Sequence, residues 1–132
     1  VVGSREVIDR ARKNRKVLGG GMRQAGIIAA AGVVALDTMV GRLSEDHDNA
    51  RHMAKGLAAM PGLNLDPEAI QSNIVIFEVA DRPAPEFINA LKKEGVLISY
   101  TGGHRVRMVT HYGITPEDFD QPLAGFNPLA PQ

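Results

Sequence analysis

The residues best suited to chemistry are Gly19-Gly20-Gly21-Met22-Arg23-Gln24-Ala25-Gly26, set between a basic segment and a long apolar one. Glycines let a backbone turn sharply and approach a ligand closely. The stretch that follows has the composition of a buried helix, so backbone N–H groups and a guanidinium converge at a helix start, which suits an anion. On composition alone a flexible joint explains the glycines equally well, and Lys16 just before them reads as a surface lysine. The second group is Arg105-Val106-Arg107-Met108-Val109-Thr110-His111. As a strand it puts Arg105, Arg107, Val109 and His111 on one face and Val106, Met108 and Thr110 on the other. Arg107 then stands opposite the more apolar face, either facing a ligand or simply wet.

Several elements must position these groups. Ser4 can cap a helix running from Arg5 toward Lys16, with Val7, Ile8 and Ala11 on one face. Ala25 to Ala59 reads as helix, kinked near Gly41. Its first third is apolar on every side and implies burial all round. Its second part is amphipathic through Leu36, Met39, Val40, Leu43, Ala50, Met53, Ala54 and Leu57. Asp48 and His52, one turn apart, could pair on its wet face. Pro61-Gly62 stops the helix.

The period then changes. Residues 73–79 are a β-branched and aromatic strand candidate. Residues 85–94 form a short amphipathic helix closed by Gly95 in the left-handed conformation. Residues 96–99 and 105–110 read as two further strands, joined through Thr101-Gly102-Gly103. Thr115-Pro116-Glu117-Asp118 is a helix start, with Pro122 expected to shorten or kink that helix. The fold class is α/β, with an α+β small domain. A helical N-terminal half is followed by a small, three- to four-stranded, mostly antiparallel sheet with helices.

Bulk properties narrow the classes. Fifteen basic and fifteen acidic residues cancel in 132, so no global field recruits nucleic acid or a membrane surface. The basic charge is concentrated in the first 23 residues, the usual mark of a solvated helix face. The absence of cysteine excludes disulfide and thiolate chemistry and suits a reducing compartment, so a cytoplasmic location is expected. The apolar run from Ala25 to Leu36 is too short to span a bilayer. No signal peptide, metal-ligand cluster, Walker loop or serine-nucleophile motif is visible. The opening Val1-Val2-Gly3-Ser4 reads as a chain entered partway through a strand.

The block Arg15-Lys16-Val17-Leu18-Gly19-Gly20-Gly21-Met22-Arg23-Gln24-Ala25-Gly26 resembles the L-threonine aldolases, pyridoxal-phosphate enzymes of the aspartate-aminotransferase-like fold type I. So do Ala29-Ala30-Ala31-Gly32, residues 43–51, Ser72-Asn73-Ile74-Val75 and the strand 105–111. The resemblance implies a C-terminal portion of such an enzyme. Residues 1–62 would hold the end of the large domain, the glycine loop and a long connecting helix. Residues 63–125 would be the small domain and 126–132 an extended tail.

The resemblance also implies an activity, cleavage of L-threonine or L-allo-threonine to glycine and acetaldehyde. The bond to be broken must stand perpendicular to the cofactor ring, so the substrate carboxylate has to be clamped, and a planar two-pronged cation suits that. By resemblance this clamp is Arg107. Arg23, with Lys16, Gly20 and Gly21, would bind the cofactor phosphate across a subunit interface. His47, His52, His104 and His111 are given no acid–base role, with His111 expected either to be structural or to support the residues that touch the ligand. Asn73 is expected to order the small domain through backbone bonds.

None of the five lysines has the context of the family's cofactor-anchoring lysine, so no catalytic residue is assigned here. The chain alone is expected to be inactive. Its partners would be a 2-amino-3-hydroxy acid, the missing N-terminal part, and further copies in a dimer or tetramer. Neither nucleic acid nor membrane is expected as a partner. The alternatives are a β-eliminating lyase, a phenylserine aldolase, and a non-enzymatic nucleic-acid-binding or dimerisation module. A parent of about three hundred residues or more would settle the question of a fragment.

Overall fold

The computed structural model describes residues 1–80, 82–93 and 95–124. The expected tail, 126–132, lies outside the described residues. The chain divides into two compact units, Val1–Val40 and Gly41 onward. The helix before residue 62 belongs to the second unit, because its apolar face packs on the sheet.

In the first unit Val1 to Ser4 form no strand. Helix α1 spans Arg5–Val17, and the Ser4 hydroxyl accepts the Val7 N–H at 3.4 Å as its cap. Glu6 in the first turn and Arg15 and Lys16 in the last complement the helix dipole. The end of α1 is closed by the glycines. Gly20 N–H donates to the Arg15 carbonyl at 2.8 Å and Gly19 N–H to that of Lys16 at 3.3 Å, with Gly19 at φ +79°. This pair of bonds is the Schellman closure, which needs a left-handed residue where Gly19 stands.

Helix α2 spans Gly26–Val34 and continues into a wide π turn, Ala35–Met39, and a tight 3-10 turn, Val40–Arg42. The expected irregularity near Gly41 is therefore present. The expected burial of α2 is not: none of its residues is buried, and Ile27 is 84% exposed. Composition identifies an apolar surface that needs cover, and no element within residues 1–40 supplies it. The helical backbone from Gly26 through Ala58 is long and apolar enough, by length and composition, to cross a membrane. Interior helices of water-soluble proteins meet the same measure, and the twelve-residue apolar run taken alone understated it.

In the second unit α3, Leu43–Ala58, buries Ala50, Met53, Ala54 and Leu57. Their three- and four-residue spacing makes one stripe. The stripe packs against a sheet of β1 (Leu63–Asn64), β2 (Ile74–Val79), β3 (Ser99–Gly102) and β4 (Arg105–Val109). The order is β1-β2-β4-β3 and every pairing is antiparallel. Helix α4, Ala84–Lys93, crosses from β2 to β3, and α5, Pro116–Ala124, follows β4 with Pro122 inside it. Val75, Phe77 and Val79 on β2, Val106 on β4 and Phe87 on α4 form the centre, with Phe77 and Phe87 edge to face at 6.0 Å.

Two boundaries differ from the sequence pattern. Strand β3 starts at Ser99 rather than Val96, because the Val96 N–H is committed to the Leu91 carbonyl as part of the α4 closure at Gly95. The short β1 is added as an edge. Helix α5 starts as its sequence demands: Thr115 N–H donates to the Asp118 carboxylate at 2.8 Å, and the Thr115 hydroxyl donates to the same oxygen at 3.1 Å.

Candidate functional site

The proposed phosphate group forms at the end of α1. Folding the Schellman turn back brings Gly20 and Gly21 against the side chains of the last helical turn. A methyl group built on Gly20 would meet Arg15 Cγ at 3.0 Å and the Arg15 carbonyl at 3.3 Å; one on Gly21 would meet Lys16 Cδ at 3.2 Å and Nζ at 3.7 Å. The Lys16 ammonium therefore lies over Gly21, and Gly20 serves close packing. Its N–H is spent on α1, so it is not among the converging donors that the sequence suggested. The unspent N–H groups lie further on, at the start of α2, where Ala25 caps no donor through its side chain. Between the two lies Arg23, exposed and without a partner among the described residues. Gln24 beside it has φ +51°, an uncommon backbone for a residue with a side chain.

Lys16 and Arg23 are cations, α1 places its only first-turn acid at the opposite end, and a side chain at Gly21 would fill the space beside Lys16. This donor set fits the phosphate end of pyridoxal phosphate. It contains nothing that would hold the ring.

The second group forms on the outer face of the sheet. Alternation on β4 buries Val106 and leaves Arg105, Arg107 and Val109 exposed, as the strand period requires. Arg107 is opposite Ile76 of β2 on one side and Ser99 of β3 on the other. Ile74 and Val109 pair in the next row, and Glu78 faces Arg105 in the row beyond. Arg107 has no hydrogen bond or ion pair among the described residues. Arg107 and the cations of the first unit belong to separate compact units.

Under this face lies a polar knot that sequence reasoning largely missed. Arg42 grips Asp46 with both guanidinium nitrogens, at 2.6 and 3.1 Å, and stacks over Tyr112 at 5.0 Å. The Asp46 carboxylate holds the guanidinium above its ordinary pKa. Asp46 is buried, and its backbone carbonyl accepts the fully buried Thr110 hydroxyl at 2.6 Å. Asn73 completes the knot, its amide donating to the Thr110 carbonyl at 2.7 Å while Thr110 N–H returns to the Asn73 carbonyl at 3.0 Å. The first turn of α3 is thereby fixed to the end of β4, three residues after Arg107. The i, i+4 spacing of Arg42 and Asp46 was the available signal.

Three of the four histidines have bonding partners. His104 Nδ1 meets the Val79 carbonyl at 2.8 Å, and His111 Nδ1 meets that of Tyr112 at 2.9 Å. His52 does not pair with Asp48. Its Nε2 meets Asp120 on α5 at 2.9 Å, and Asp48 pairs with Arg51, because α5 brings a carboxylate to that face of α3.

Comparison with known proteins supplies the context for these groups. Residues 1–80 match the beta-eliminating lyase family. The chain belongs to that family. It is 37% identical over 132 residues to the probable low-specificity L-threonine aldolase 2 of Arabidopsis thaliana, covering 98% of this chain and 37% of the relative. It is 40% identical over 124 residues to the low specificity L-threonine aldolase of Escherichia coli (strain K12), covering 94% and 36%. The chain thus spans just over a third of the length of these relatives. A solved cystine C-S lyase in complex with cysteine persulfide superposes with a TM-score of 0.65 at 19% identity, covering 81% of this chain and 29% of that one. The fold is that of pyridoxal-phosphate enzymes of fold type I, and the family's lyases depend on that cofactor.

Proposed function

We propose that this chain is part of a threonine-type aldolase, contributing a substrate-carboxylate clamp at Arg107 and a cofactor-phosphate group at Arg23, Lys16, Gly20 and Gly21. The carrying observation is Arg107, an exposed guanidinium without a partner on the outer face of β4, in a chain 40% identical to a low specificity L-threonine aldolase. The substrate is a 2-amino-3-hydroxy acid and the products are glycine and an aldehyde. When bound, pyridoxal phosphate supplies the electron sink for Cα–Cβ cleavage. Arg107 holds the substrate carboxylate through two parallel N–H···O bonds, which fixes rotation about the amino-acid Cα. Lys16 and Arg23 hold the phosphate end of the cofactor, with Arg23 reaching it in a neighbouring subunit of a dimer or tetramer.

The anchoring lysine and the base for the β-hydroxyl belong to the complementary N-terminal part of the protein. The chain alone is therefore inactive. Incubated with pyridoxal phosphate and borohydride it should give no stoichiometric lysine adduct, and with L-threonine no acetaldehyde. Joined to the complementary part it should release glycine and acetaldehyde. In that complete enzyme Arg107→Ala should raise KM and lower kcat, a combined loss of roughly ten- to a hundredfold for one charge-assisted contact of ~1.5–3 kcal/mol. A trapped lysine in the isolated chain, or unchanged kinetics in Arg107→Ala, would overturn the assignment. The family's name favours one second reading, β-elimination. It would expel the β-substituent of an amino acid as the protonated leaving group and, with one water, release ammonia and a keto acid in place of glycine and aldehyde.

A further inference from the structure

The loop between α1 and α2 holds one residue in a conformation that only its side chain can justify. We propose that the Gln24 carboxamide donates a hydrogen bond to the cofactor phosphate beside Arg23. This rests on the assignment of Arg23 and Lys16 to that phosphate and adds a member that neither the motifs nor the comparisons assign.

Gln24 has φ +51°, and every other left-handed position among the described residues is a glycine: Gly19, Gly62, Gly95, Gly102, Gly103 and Gly113. In that region the Cβ of an L-residue crowds the following carbonyl oxygen, a penalty that glycine escapes. A position that had only to turn the chain would therefore be served best by glycine, as Gly19 serves the end of α1. Gln24 instead carries a long side chain that is exposed and has no hydrogen-bond partner among the described residues. None of those residues offsets the strain of its backbone. Strain of this kind collects where a side chain is held for a ligand.

The surroundings select the ligand. Arg23 directly precedes Gln24, and the Lys16 ammonium lies over Gly21. No acidic residue occurs between Asp9 and Asp37, so an anion brought here meets no like charge from this stretch. The chain bends at Arg23 and Gln24, and successive side chains are thrown to opposite sides only where a chain is extended. The carboxamide can therefore share the ligand of Arg23. A phosphate offers strong acceptor oxygens, and the carboxamide meets them through its NH2 end. It adds a directional donor without adding a further charge to desolvate.

The test uses the complete enzyme, complementary part included, resolved of cofactor and titrated back in phosphate-free buffer. It compares dissociation constants for pyridoxal phosphate and for pyridoxal, which has the same ring and aldehyde and no phosphate. Gln24→Ala keeps the strained backbone and removes the amide. It should weaken pyridoxal phosphate about tenfold, the loss expected for one hydrogen bond to a charged group, and leave pyridoxal unchanged. Gln24→Glu keeps the length and sets a like charge against the phosphate, so its loss should exceed that of Gln24→Ala. Gln24→Gly removes the strain together with the amide. It should lose pyridoxal phosphate affinity as Gln24→Ala does while melting no lower than the parent. Equal weakening of both ligands by Gln24→Ala, or Gln24→Gly binding pyridoxal phosphate as tightly as the parent, overturns the inference. The second result would show that the position demands only a turn. Arg23→Ala separates the two assignments. If it weakens pyridoxal phosphate while Gln24→Ala does not, Gln24 alone fails; if it leaves that affinity unchanged, the phosphate assignment fails and this inference with it.

Discussion

Replacing Thr110 by Val removes one hydroxyl and keeps the side-chain shape. That hydroxyl is fully buried and donates at 2.6 Å to the Asp46 carbonyl, joining the first turn of α3 to the end of β4. Losing a buried hydrogen bond costs ~1–3 kcal/mol when an acceptor is left unsatisfied. The Asp46 carbonyl keeps its intrahelical partner four residues on, so the lower part of that range applies, about 1–2 kcal/mol. In a unit of this size each kcal/mol moves the melting temperature by roughly 4–8 °C. Thr110→Val should therefore melt roughly 5–15 °C below the parent. Thr110→Ser keeps the bond and loses a methyl group worth about 0.8 kcal/mol. Thr110→Ala loses both, and its deficit should approach the sum of the other two. Thermal unfolding followed by circular dichroism measures all three. A Thr110→Val protein melting within about 2 °C of the parent would show that the knot does not hold α3 to the sheet, because its predicted loss is several times larger.

Two further predictions concern the helix ends. Gly19 has φ +79° with open space beside its Cα, so Gly19→Ala carries only the backbone penalty of a left-handed residue, ~1–2 kcal/mol. Faster amide exchange at Gly19 and Gly20, whose N–H groups close α1, would report it, and unchanged exchange would show that the closure contributes nothing. The Glu117 carboxyl is held below its ordinary value, first by a hydrogen bond from its own backbone N–H and then by Thr115. A lowered folded pKa gives stability that is present above about pH 4.5 and is lost as pH falls through the lowered value. Glu117→Gln should flatten the acid limb of the melting-temperature profile, and a limb of unchanged slope would remove that contribution.

The features legible in the sequence were those decided within a few residues. Ser4 before α1, Thr115 with Asp118 at α5, and Gly95 after α4 carry their own cap chemistry, and each closes its helix as its type requires. The alternation of β2 and β4 was equally plain, because a two-residue period leaves one assignment of faces. Asn73 was expected to work through backbone bonds, and it does. What escaped depends on partners far away in the chain. His52 meets Asp120, 68 residues on, and nothing local prefers that carboxylate to Asp48. Asp46 sits among charged residues on a helix that reads as wet, and becomes buried only because Arg42 and Thr110 close over it. Composition also gives apolar surface on α2 without saying what covers it.

That last point bears on how the candidate clamp can work. An ion pair at 4 Å is worth about 1 kcal/mol in bulk water and about 4 kcal/mol at an effective dielectric of 20. Arg107 as it stands in this chain is exposed, so its guanidinium alone would hold a carboxylate only weakly. The same guanidinium gains severalfold when the apolar collar of Ile74, Ile76 and Val109 is covered and water leaves. The residues that bind and the residues that exclude solvent are thus two halves of one device. Conserving the charge without the cover would leave a recognisable motif with little affinity. Specificity for an amino-acid carboxylate over a bare amine then depends less on the presence of arginine than on how many donors reach the ligand after the water has gone.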